Sequence, residues 1–161
     1  MKRKYIDEAY QYWKNGQPLE AGRILYEHIN VRHRPAWAAE ILELCKNLIP
    51  SVSEIDAVHQ IAQDQNRWQE AHEAFTTVRM LTLQAERSKD TNAIYAGMLY
   101  LAENAAKVTY NASSGASPFD HDAGWWLVGN LRFIVDQIGN PEFEAQAWDT
   151  VSCQKYADNH A

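Results

Sequence analysis

The residues best suited to bind a metal or to act as nucleophiles are six histidines and two cysteines. Their spacing matches no familiar metal site. Asp56 and His59 form one imperfect copy of the Glu-x-x-His unit, of which a di-iron helical bundle needs two. Asp120-His121-Asp122 places three potential ligands in a row, but adjacent side chains seldom point at one ion. Capping of the following helix by an aspartate is the simpler explanation. The sequence therefore predicts no metal site.

Nucleophilic and phosphate-binding chemistry also lack their sequence signatures. Cys45 occupies an apolar helical position, which favours a buried thiol over a reactive thiolate, and no histidine is tied to Cys153 by spacing. Ser117 follows Gly115 but lacks the second glycine of a nucleophile elbow, and it comes after a helix and not after a strand. Glycine-rich phosphate loops are absent. We expect reduced thiols, no catalytic residue and no cofactor.

The most informative aromatic residues lie in a helix predicted over residues 122–138. Its apolar stripe consists of Leu127, Val128, Leu131, Ile134, Val135 and Ile138. Trp126 and Phe133 point nearly the opposite way, and Trp125 lies well off the centre of the stripe. A helix that is apolar on both faces either runs through the core or presents aromatic anchors to a partner. In the second case Trp125, Trp126 and Phe133 form a binding hot spot.

A second candidate surface lies on the preceding helix, predicted over residues 91–111. Its apolar stripe is complete without six residues that fall together on the other side: Tyr100, Glu103, Asn104, Lys107, Tyr110 and Asn111. Glu103 and Lys107 are spaced as an i, i+4 ion pair, which is typical of a solvated face. The two tyrosines and two asparagines instead favour a recognition surface. Both interpretations remain open from the sequence.

A smaller candidate is the basic turn Arg32-His33-Arg34 before Pro35. This turn has the densest positive charge inside the domain and is suited to an acidic or phosphorylated group. A turn between helices is also where charged residues ordinarily lie, and this simpler explanation is favoured.

Helical periodicity dominates the elements that would position these residues. Apolar positions recur at helical spacing in about eight segments, including a long one over residues 66–87, and no segment alternates as a strand does. Short connections predict antiparallel neighbours. The expected fold is therefore all-α: one domain over residues 1–161, with helical hairpins forming a compact bundle or a short solenoid.

Two turns show a family resemblance. Residues 14–21 (KNGQPLEA) are similar to the turn between the two helices of a tetratricopeptide repeat, and residues 66–71 (NRWQEA) with Phe75 have the same pattern. The resemblance covers residues 14–29 and 66–78. Ala21 and Ala71 are 50 positions apart, however, whereas the repeat period is about 34. The resemblance implies helical hairpins packed side by side, with protein binding as the associated function.

The distribution of charge argues against nucleic acid as a ligand. The net charge is −6, and residues 91–161 contain three basic and eight acidic side chains. A general DNA or RNA binder needs a basic stripe to release counterions from phosphates. The sequence also has no apolar stretch long enough for a membrane span and no signal-like N-terminus, so we expect a cytoplasmic protein.

These features lead to one expected function and two alternatives. The first is a non-catalytic protein-interaction domain, for example an immunity-type protein that covers the active site of a basic toxin. The second is a small helical enzyme or small-molecule binder with a pocket between the helices predicted over residues 91–111 and 122–138. This pocket would be lined by Tyr100, Glu103, Tyr110, Asn111 and Trp126. The third is a structural subunit that buries its spare aromatic residues in a homodimer.

Overall fold

The fold is all-α, as predicted. A computed structural model describes residues 4–114, 119–152 and 154–156. Within these ranges there is no β-strand. The α-helices are α1 (Lys4–Lys14), α2 (Pro18–Glu27), α3 (Arg34–Cys45), α4 (Ser53–Ala62), α5 (Ala71–Arg87), α6 (Ala93–Ser113), α7 (Ala123–Ile138) and α8 (Pro141–Val151). None of these helices is both long and apolar enough to cross a membrane.

Helix boundaries follow local chemistry. Asn92 and Asn140 cap α6 and α8, each accepting two backbone N–H bonds through its side-chain oxygen. Gly139 ends α7 in the left-handed conformation that favours glycine. Capping of α7 was predicted for Asp120 or Asp122; Asp122 occupies the N-cap position, but its side chain makes no capping bond.

The two turns that resemble tetratricopeptide hairpins differ in structure. The first joins α1 to α2 in a tightly packed hairpin, with Ala21 fully buried. The second lies between α4 and α5, and in it residues 65–70 form a 3-10 segment that runs directly into α5. The single long helix predicted over residues 66–87 therefore begins as an α-helix only at Ala71.

Helix α6 is the central element of the core. It packs against α3, α4, α5 and α7, and both faces of the helix are buried along much of its length. Helix α7 inserts between α2 and α6, so that α1, α2, α7, α6 and α5 follow one another as neighbours. One side of α7 thus faces the core, while the other faces outward.

Candidate functional site

Two large aromatic side chains stand exposed on the outer side of α7. Trp126 is 47% exposed and Phe133 is 44% exposed, although they belong to a helix whose opposite face is fully buried. Seven residues separate them, which places them about 10 Å apart along the helix axis. We call this pair the α7 aromatic stripe. The alternative in which these two side chains belong to the core is wrong.

Neighbouring helices hold the stripe in place. A Cβ atom added at Gly129 would lie 2.9 Å from Leu19 Cδ2, so α2 packs closely beside Trp126. On the other side, a Cβ atom added at Gly97 of α6 would lie 3.2 Å from Phe133 Cδ2. Glycines on both sides therefore bring three helices close together around the stripe. Trp125 does not belong to it, because this residue is half-buried and packs against the core.

A pair of amides closes the seam between α6 and α7. The carboxamides of Asn104 and Asn130 lie 2.7 Å apart, in partly buried positions next to the Tyr100 and Trp126 backbone carbonyls. Polar groups that are out of water need such partners. Side chains therefore join α6 to α7 close to Trp126 of the α7 aromatic stripe.

The other predicted α6 residues face α5 and not open solvent. The Tyr100 hydroxyl donates to Glu86 Oε1 at 2.5 Å, and Glu103 lies 3.5 Å from the Arg79 guanidinium. Glu103 is only 5% exposed, so its placement on a solvated face is wrong. The expected ion pair with Lys107 does not form in this arrangement, because the Lys107 ammonium lies over the Phe75 ring, 5.2 Å from its centroid.

At the C-terminal end of α6, Tyr110 joins an aromatic cluster. Its ring lies 5.3 Å from the His72 ring and 5.7 Å from the Phe119 ring, and Phe119 also packs edge-on against Phe75. Asn111 Nδ2 donates to the Asp120 carbonyl at 3.4 Å. These contacts link α6 to α5 and to the residues that precede α7.

The predicted pocket residues are thus divided between two surfaces. Tyr100 and Glu103 bind partners on α5, whereas Trp126 lies on the outer side of α7. Their side chains do not converge on a shared space between α6 and α7. Among all the predicted binding residues, the two of the α7 aromatic stripe are the most exposed.

The buried carboxylate of Glu103 allows a test of this part of the site. Its Oε2 atom has no hydrogen-bond partner among the described residues. Arg79→Ala would leave a buried charge unpaired, and we expect it to lower the free energy of unfolding by about 1 kcal/mol. Glu103→Leu removes the same ion pair together with the buried charge, so it should be neutral or stabilising. Urea unfolding followed by circular dichroism measures both, and equal losses in the two variants would contradict this account.

Two ion-paired groups, one on α2 and one between α7 and α8, contain more carboxylates than arginines. Arg23 of α2 is shared by Glu20 at 2.9 Å and Glu27 at 3.4 Å. Arg132 of α7 is likewise shared by Asp136 at 2.8 Å and Glu144 at 3.3 Å. The single positive charge of each arginine is therefore outnumbered by the negative charges of its two carboxylate partners. An excess of carboxylates over arginines in each of these two groups favours a positively charged partner.

The basic turn and the cysteine have structural roles. Arg34 stacks over the Tyr26 ring at 3.9 Å and donates to the Tyr26 carbonyl, so Arg32 is the exposed residue of the three. Burial raises the pKa of the Cys45 thiol to about 12, which keeps it protonated and unreactive. Cys153 and Ser117 lie outside the described residues. Within the described ranges, no group of three or more potential metal ligands comes together.

Sequence reasoning missed a groove between α1 and α8. Its aromatic walls are Tyr10, Trp13 and Trp148, which lie at opposite ends of the chain. The only sequence signal was the abundance of tryptophan, because periodicity alone placed Trp13 on a core stripe without indicating its neighbour.

Comparison of the chain with protein-family models, with curated proteins and with solved structures found no match.

Proposed function

We propose that this protein is a non-catalytic protein-interaction domain that docks a basic partner on the α7 aromatic stripe. The observation that carries the proposal is the exposure of Trp126 and Phe133 on one rigid helix. Tryptophan is enriched among the residues that dominate binding energy in interfaces, and large apolar side chains are seldom exposed together without a role. Because α7 is fixed by α2 and α6, little ordering is required on binding.

The charge of the protein supports a basic partner. The net charge is −6, and the arginines on α2 and α7 are each outnumbered by their carboxylates. Opposite fields accelerate encounter and suppress association between two copies of the same acidic chain. The concrete form of the proposal is a cytoplasmic immunity-type protein that neutralises a basic toxin, such as a nuclease, by covering its active site.

The test uses the purified product of a neighbouring reading frame as the candidate toxin. We expect Trp126→Ala with Phe133→Ala to weaken binding by at least about 30-fold, because each truncation removes an aromatic anchor. Met80→Ala is the matched control, since Met80 is also a large exposed apolar residue but lies on α5. Calorimetry measures affinity, and inhibition of the toxin's activity gives the functional readout.

Two results would overturn the proposal. One is equal binding by the double variant and by Met80→Ala. The other is a wild-type dimer in sedimentation velocity that the double variant converts to a monomer, since this would assign the stripe to self-association and support the structural-subunit alternative.

A further inference from the structure

The groove between α1 and α8 has three aromatic walls. Its volume is about 380 Å³, and it contains Tyr10 and Trp13 from α1 and Trp148 from α8. The Trp148 ring lies 5.0 Å from the Tyr10 ring and 5.7 Å from the Trp13 ring, both tilted. Trp13 is buried and forms the floor, whereas Tyr10 is exposed at the rim. A space of this size can accept a small organic group.

Two carboxylates beside these rings are uncompensated. Asp7 and Asp149 both line the groove, and neither forms an ion pair or a side-chain hydrogen bond with another described residue. The third acid, Glu144, is bound to Arg132 at 3.3 Å. The groove therefore combines negative charge with aromatic surface.

The same rings already attract cations from the protein itself. The Arg132 guanidinium lies 4.9 Å from the Trp13 ring centroid, and the Lys14 ammonium lies 5.0 Å from that of Tyr10. Aromatic faces carry negative potential, and tryptophan has the strongest such attraction. Alkylated ammonium groups suit these surfaces because the alkyl groups contact the rings while the charge remains. The groove provides carboxylates and rings, and no cluster of metal ligands is found among the described residues.

We propose that this groove binds an organic cation with an alkylated ammonium group. The cation is either a free small molecule or a methylated lysine side chain presented by a partner. The carboxylates of Asp7 and Asp149 attract the charge, and the accessible rings of Tyr10 and Trp148 contact the alkyl groups above the buried Trp13. This inference does not depend on the α7 aromatic stripe, which lies on a different surface.

Choline chloride is the first probe, followed through the indole N–H resonances of Trp13 and Trp148 in a nitrogen–proton correlation spectrum. Its neutral isostere 3,3-dimethylbutan-1-ol has the same shape without the charge. We expect saturable shifts of these two resonances with choline, and at least about tenfold weaker binding of the alcohol, because the ring and carboxylate attraction needs the charge. Absence of shifts with choline, or equal binding of both compounds, would overturn the proposal.

Matched variants separate the groove from the overall charge. Asp7→Asn with Asp149→Asn should weaken choline binding by about fivefold or more, because both nearby charges are lost. Glu8→Gln with Glu142→Gln removes the same charge from the same two helices outside the groove, and should bind as wild type. Equal weakening in both double variants would contradict the assignment. Tyr10→Leu, which leaves all carboxylates in place, should also weaken binding.

A peptide arm identifies the source of the cation. A short peptide with trimethyllysine is compared with choline and with the same peptide carrying unmodified lysine. Tighter binding of the trimethylated peptide than of choline assigns the groove to a partner's side chain, and tighter binding of choline assigns it to a free ligand. Binding that does not distinguish trimethyllysine from lysine would overturn the preference for alkylated ammonium.

Discussion

Replacing Trp37 with alanine is expected to lower the free energy of unfolding by about 3–5 kcal/mol, the range for removing a fully buried large aromatic side chain. Trp37 is completely buried and joins three helices. Its ring lies 5.9 Å from the Tyr26 ring of α2, and its Nε1 atom donates to the Val151 carbonyl at 3.0 Å. The substitution leaves a cavity between α2, α3 and α8, and it also removes the donor for a carbonyl at the end of α8.

Two further variants separate the causes of this loss. Trp37→Phe retains most of the ring but lacks the indole N–H, so its loss should be about 1–2 kcal/mol. Trp126→Ala makes the same truncation at a position that is half exposed, and its loss should be below about 1 kcal/mol. Urea unfolding followed by circular dichroism measures all three. A similar loss for Trp37→Ala and Trp126→Ala would contradict the assignment of one to the core and the other to the surface.

The second large effect is expected at Gly22, where the sign depends on tertiary structure. Alanine is favoured over glycine inside a helix by about 1 kcal/mol, so local propensity predicts that Gly22→Ala stabilises α2. A Cβ atom at this position would lie 2.8 Å from the Trp125 carbonyl oxygen and 2.9 Å from the Trp125 Cα atom. Because these are backbone atoms of α7, the two helices would have to separate. We expect a net destabilisation of about 2–3 kcal/mol, as for other overpacked cores.

Gly129→Ala is the matched control on the partner helix. Its Cβ atom would meet Leu19 Cδ2 at 2.9 Å, and the next nearest atom is 3.8 Å away. Since Cδ2 is the end of a flexible side chain, Leu19 can move aside, and the change in stability should stay within about 1 kcal/mol. The midpoint of thermal unfolding provides the measurement. Stabilisation by Gly22→Ala would show that α2 and α7 are not in close backbone contact.

The predicted surface on α6 shows which burial states helical periodicity predicts correctly and which it does not. The apolar stripe at helical spacing on α6 includes Met98, Leu101 and Val108, and all three are buried as this spacing predicts. The opposite face was expected to meet solvent, yet Glu103 on that face is buried. The reason is that α5 covers this face, and the sequence of α6 alone contains no information about which helices surround it.

On α7 the same method left two alternatives, and the topology decides between them. Because α7 lies between α2 and α6, its stripe of Leu127 and Leu131 reaches the core, while Trp126 and Phe133 remain outside. A helix with apolar residues on both faces is compatible with either outcome until its neighbours are known.

The sequence by itself determined the all-α class, the approximate extents of α6 and α7 and the acidic character of the chain, because these depend on local periodicity, capping residues and composition. Only the tertiary structure decided which aromatic residues are exposed and which lie together. The α1–α8 groove depends on contact between Tyr10 and Trp148, 138 positions apart in the chain. Such a contact results from the packing of all the intervening helices, and no local pattern within either helix encodes it.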